Sequence, residues 1–86
     1  MKPKLLVVDD EKNTREALRR ALEDAFEVFV APNVESSRNL MRTESMDVVL
    51  TDLRLGSESG LDVLQLCQRQ SPPPPCVVMK IGRAHV

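Results

Sequence analysis

The sequence predicts an α/β fold built on a doubly wound parallel sheet, and three observations carry that prediction. Apolar runs alternate with amphipathic stretches along the whole chain. The runs are continuous rather than alternating, as expected of strands covered on both faces. The connections are short, so successive strands are joined by right-handed helical crossovers. With 86 residues there is room for one small domain.

The first strand is Leu5-Leu6-Val7-Val8, which stops abruptly at Asp9-Asp10-Glu11. Asn13, with Glu16 three residues on, is in position to cap a helix running to about Ala25. Ala17, Leu18, Ala21, Leu22 and Ala25 fall on one face of that helix. Glu27 to Ala31 reads as a second strand centred on Val28, Phe29 and Val30. Pro32-Asn33 opens a second helix over roughly Val34 to Met41, with thin apolar content in Val34, Leu40 and Met41. Val48-Val49-Leu50 is a third strand, again ending in an acid, Asp52. Gly56 and Gly60 bracket a loop, after which Leu61, Val63, Leu64, Leu66 and Cys67 make a broad helical face. Pro72 to Pro75 break that helix, because proline lacks the amide donor and clashes with the preceding turn. Cys76-Val77-Val78-Met79 begins a fourth strand.

Composition narrows the function. Twelve basic residues stand against 13 acidic ones, for a net charge of −1, so no basic stripe is offered to nucleic acid or to an anionic membrane. Phe26 and Phe29 are the only aromatic residues, too few for a base-stacking platform. Cys67 and Cys76 each sit in an apolar run and read as small buried hydrophobes; their separation fits no compact zinc pattern and no disulfide framework. The apolar run after Met1-Lys2-Pro3-Lys4 is too short for a signal peptide or a membrane span, and a cytoplasmic protein is expected.

The chemistry is carried by acids at strand ends. Asp9 and Asp10 follow the first strand and Asp52 closes the third. Open α/β sheets bind ligands outside the carboxyl ends of their strands, where the strand order reverses. If the first and third strands are neighbours there, three carboxylates converge. Such like charges repel unless a cation intervenes. An all-oxygen donor set with no His or Cys favours a hard ion, and Mg2+ suits a site with few carboxylates and a phosphate to share.

The segments Leu-Leu-Val-Val-Asp-Asp-Glu (5–11), Val-Val-Leu-Thr-Asp-Leu-Arg-Leu (48–55) and Ser-Gly-Leu-Asp-Val-Leu (59–64) resemble receiver domains of two-component response regulators. The likeness spans about residues 4–79, with the motifs in order and at the family's spacing. It implies a flavodoxin-like sheet of order 2-1-3-4, phosphorylation of Asp52 by a sensor histidine kinase, and Mg2+ as the cofactor. Asp10 matches the acid that binds the metal directly, Asp9 the neighbour acting largely through water, and Arg54 the residue whose backbone carbonyl is a ligand. Gly60 matches the glycine that shapes the loop after the acceptor. Many receivers carry proline where this chain has Gly56, so Gly56-Ser57-Glu58-Ser59-Gly60 is expected to be more pliable. The Leu-Arg-Leu-Gly-Ser run looks closest to receivers fused to sigma-54-type transcriptional activators with an ATPase domain.

Against the family's five β/α units, the resemblance implies an incomplete domain over residues 1–80, lacking the last strand and last two helices. Missing with them are the switch Thr or Ser, at whose place Ile81 stands, and the lysine of the fifth strand, for which Lys80 is no substitute. Residues 81–86 are expected to be a non-native tail, since they can be back-translated into a sequencing-library adapter. The effector domain is then absent from this chain. No direct contact with nucleic acid or membrane is expected. The first helix covers one sheet face and the next two the other. Strands three and four therefore expose apolar surface beside an unprotected edge, and self-association through that face is expected. Two rival readings accompany the leading one. One is a truncated gene fragment without function. The other is a metal-dependent phosphohydrolase of the haloacid-dehalogenase type, disfavoured because Glu11 and Lys12 occupy the places where such enzymes carry a second Asp.

Overall fold

A computed structural model describes residues 1–79. The positions discussed above for Lys80, Ile81 and the 81–86 tail lie outside the described residues. The elements run β1 (Lys4–Val8), α1 (Lys12–Leu22), β2 (Glu27–Ala31), α2 (Val34–Thr43), β3 (Val48–Asp52), β4 (Arg54–Leu55), β5 (Glu58–Ser59), α3 (Gly60–Gln68) and β6 (Cys76–Met79). The main sheet is parallel in the order β2-β1-β3-β6, so the fold is flavodoxin-like, with β6 as the predicted fourth strand. Register places Val8 opposite both Ala31 and Thr51, and Asp52 opposite Met79. The carboxyl ends of the two central strands are therefore level.

The sheet is asymmetric in its burial. Leu6 and Val8 of β1, Ala31 of β2 and Val49 of β3 join Val34, Met41, Val63, Leu66 and Cys67 from α2 and α3 in one apolar cluster. Leu5 and Val7 alternate to the opposite face, where α1 packs against β1 and β2, and they too are buried. Farther along that face cover thins: Leu50 of β3 is only half-buried, and Val77 of β6 is 52% exposed. The apolar surface expected on the third and fourth strands is present among the described residues.

Four local readings are corrected. Helix α1 starts at Lys12 with Glu11 as its N-cap, and no side chain caps it, so Asn13 lies inside the helix. The reason is Asp9, whose Oδ1 accepts the Glu11 N–H at 2.8 Å and turns the chain into the helix two residues early. The helix ends at Leu22 rather than Ala25, where the Ala25 and Phe26 amides both turn back to the Leu22 carbonyl. Its predicted alanine stripe is exposed, leaving Leu18 and Leu22 half-buried. In α3, Leu61 is 54% exposed and the buried face is Val63, Leu66 and Cys67.

The thin apolar content of α2 has a simple explanation. Its buried face is Val34, Ser37 and Met41; Ser37 is small and satisfies its hydroxyl by donating to the Asn33 carbonyl at 2.8 Å. Asn33 caps the helix through Oδ1, which accepts the Ser36 N–H at 2.8 Å. Asn33→Ala should cost about 1 kcal/mol of folding stability, read as a lower urea midpoint at unchanged slope.

Candidate functional site

Asp9 follows β1 directly, and its N–H still donates to Ala31 of β2 at 3.1 Å, extending the ladder by one residue. Asp52 is the last residue of β3. Because β1 and β3 are neighbours and in register, the two strand ends meet. One carboxylate oxygen from each of Asp9, Asp10 and Asp52 lies within 4.8 Å of the others. Asp9 is fully buried and Asp52 is 4% exposed, whereas Asp10 is open to solvent. A dense cluster of three anions set partly out of water is costly unless positive charge joins it. The all-carboxylate donor set fits a hard divalent cation, so the residues present suit Mg2+.

The surrounding backbone holds these groups in place. Oδ1 of Asp52 accepts the Arg54 N–H at 3.3 Å, and the Arg54 residue itself is exposed. Part of the expected Gly56–Gly60 loop pairs with the residues before it as a short hairpin, with Arg54 opposite Ser59 and Leu55 opposite Glu58. Gly56 turns it at φ +64°, a left-handed conformation that glycine accepts without a steric penalty. A side chain there would sit 3.9 Å from Asp10 Oδ2, so the hairpin tip borders the acid cluster. Gly60 donates its N–H to the Leu53 carbonyl at 2.7 Å and starts α3 against the Asp52 main chain.

Three supporting residues were not singled out from sequence. Thr51 is buried and its hydroxyl donates to the Asp52 carbonyl at 3.0 Å. Arg15 of α1 donates to the Asp9 carbonyl at 2.7 Å. Glu58 accepts the Val34 N–H at 3.2 Å, tying the hairpin to the start of α2. The Thr51 contact had a signal in its adjacency to Asp52. The other two are made by side chains reaching across elements, which local spacing does not encode.

An open parallel sheet whose central strand ends carry an acidic cluster, flanked by a glycine-turned hairpin, places that cluster where α/β sheets of this kind bind ligands. Comparison with known proteins gives the class its family. The model of the response regulator receiver domain matches residues 5–84. The response regulator protein PilR of Pseudomonas aeruginosa is 39% identical over 77 residues, covering 88% of this chain and 17% of PilR. The hydrogenase transcriptional regulatory protein HoxA of Bradyrhizobium diazoefficiens is 39% identical over 70 residues, covering 81% of this chain and 14% of HoxA. A crystal structure of a Burkholderia pseudomallei response regulator, with a phosphorylated aspartic acid, calcium ion and citrate, superposes with a TM-score of 0.80 at 32% identity, covering 90% of this chain and 46% of that one. The chain belongs to the response regulator receiver domain family. It spans less than a fifth of the length of these two curated relatives.

Proposed function

We propose that this receiver accepts a phosphoryl group on Asp52 from a sensor histidine kinase in the cytoplasm, in a Mg2+-dependent reaction, as the input to a transcriptional response regulator. The observation that carries the reading is the meeting of the Asp9, Asp10 and Asp52 carboxylates within 4.8 Å at adjacent strand ends. The phosphorylated aspartic acid and calcium ion of the Burkholderia protein support it, as do the names of PilR and HoxA.

Asp10, Asp52 and the Arg54 carbonyl are the groups that would hold the cation, with Asp9 acting on it through water. Bound there, it supplies neutralising charge between the carboxylates and the phosphoryl oxygens. The chain's own part is positioning, which is most of what phosphoryl transfer demands. The Arg54 N–H on Oδ1 sets the plane of the Asp52 carboxylate. A carboxylate oxygen of Asp52 forms the new O–P bond as the bond from phosphorus to the donor breaks, and the leaving group departs with that electron pair. The Thr51 and Gly60 contacts hold the Asp52 main chain while this happens.

Acetyl phosphate with Mg2+ should add one phosphoryl group, read by intact mass, and a chelator should prevent the addition. An adduct that forms equally well without divalent metal would overturn the proposal.

A further inference from the structure

Helix α1 carries its charges the wrong way round for a helix. The stretch from Lys12 to Arg15 that opens it holds both of those cations and no acid, whereas the first turns of α2 and α3 carry Glu35 and Asp62. A helix start bears partial positive charge and favours anions, so a cation there is not stabilised by the helix itself. Arg15 instead reaches the chain before the helix: its Nη1 donates to the Asp9 carbonyl at 2.7 Å. Two further bonds complete a ring around Asp10. The Glu11 N–H donates to Asp9 Oδ1 at 2.8 Å, and the Arg15 N–H donates to the Glu11 carbonyl at 3.0 Å. Both peptide groups flanking Asp10 are therefore pinned, the first through its carbonyl by Arg15 and the second through its amide by the Asp9 carboxylate. Asp10 is the exposed member of the acid cluster, so packing orients its side chain least and its main chain orients it most.

We propose that Arg15 is a positioning residue for the acid cluster: by fixing the Asp9–Asp10 peptide group it holds the Asp10 carboxylate where it converges with Asp9 and Asp52. The proposal rests on the reading of Asp10 as a direct Mg2+ ligand. In this role Arg15 touches neither the metal nor the phosphoryl group and acts through the main chain between two acids. A ligand held in place beforehand loses less freedom when the cation arrives, so the clamp strengthens binding. The charge of Arg15 works in the other direction, since a cation beside the site repels Mg2+ and its removal alone would strengthen binding. The two effects differ in sign, and the hydrogen bond is the one that dominates.

The test titrates the isotope-labelled chain with Mg2+ alone and follows amide shifts by NMR, the chain having no tryptophan to report by fluorescence. Arg15→Met keeps most of the stem and loses the donor; its Kd for Mg2+ should rise on the order of tenfold. Its rate of labelling by acetyl phosphate at saturating Mg2+ should stay that of the wild type. Arg15→Lys, whose ammonium still donates to a carbonyl, should recover most of the affinity. In metal-free protein the Glu11 amide should exchange faster in Arg15→Met, with the amides of α2 and α3 unchanged. Unchanged or tighter Mg2+ binding by Arg15→Met, a lowered rate at saturating metal, or a lysine variant as weak as the methionine would each overturn the proposal. Should Arg15→Met fail to fold, the wild type decides: a guanidinium that reorients as freely as that of the exposed Arg20 overturns it, and a restricted one upholds it. Failure of the parent reading looks different. The wild type itself then shows no Mg2+ titration, while the metal-free exchange still reports whether Arg15 fixes the turn.

Discussion

Asp52→Asn is expected to remove the acetyl-phosphate adduct completely, with no residual labelling elsewhere on the chain. The amide has the shape of the carboxylate and can keep its oxygen on the Arg54 N–H, so the fold should survive. What it loses is the anionic oxygen that forms the bond to phosphorus and one of the three charges converging on the pocket. Asp9→Asn should behave differently. Asp9 is fully buried and its Oδ1 starts α1 through the Glu11 N–H. An asparagine preserves that bond but halts one anion's contribution, and Mg2+ affinity should fall on the order of tenfold to a hundredfold, as for groups acting on a metal through an intervening ligand. Intact mass at saturating and limiting Mg2+ distinguishes the two: excess metal rescues Asp9→Asn and never Asp52→Asn. Labelling that persists in Asp52→Asn would move the acceptor elsewhere.

Gly60→Ala should destabilise the fold by about 3 kcal/mol or more, a large part of the stability of a small domain. A Cβ at this position would fall onto the Asp52 carbonyl oxygen, with the Asp52 carbonyl carbon at 3.0 Å and Thr51 Oγ1 at 3.1 Å. The obstructing atoms are main chain of a central strand held on both sides, by β1 and by β6, and cannot yield as a side-chain tip would. The start of α3 must lift instead, breaking the Gly60 N–H bond to Leu53. The gain of about 1 kcal/mol that alanine brings to a helix is too small to offset this. Gly56→Ala makes the useful contrast. Its Cβ has room, and only its left-handed φ of 64° is unfavourable, so the cost should be about 1–2 kcal/mol. Urea unfolding of both variants should show Gly60→Ala with the far lower midpoint. Equal midpoints would mean that α3 can shift freely at its first turn.

Most of the element order was legible because each strand of the main sheet contains a continuous apolar run, and α2 and α3 carry side-chain caps with the prolines ending α3. Glu27–Ala31 matches β2 to the residue, and the fourth strand begins at Cys76 as expected. The errors have local causes of a kind that periodicity does not register. The spacing of Asn13 to Glu16 fits a capping box, yet the Asp9 carboxylate reaches the Glu11 amide first. By sequence Gly56 and Gly60 bracket a loop, whereas Arg54–Leu55 and Glu58–Ser59 pair across Gly56, each strand two residues long and too short for any pattern to declare.

By itself, the sequence determined that the chain alternates strands and helices and that acids terminate two of the strands, since both follow from hydrophobic runs and their boundaries. The residues read alone left open whether β1 and β3 lie side by side; the family resemblance implied that order, and the tertiary structure shows it, bringing Asp9 and Asp10 within reach of Asp52 and Gly60 against the Asp52 main chain. The physical reason is separation along the chain: strand order is settled by how whole faces pack, and no window of neighbouring residues contains that information.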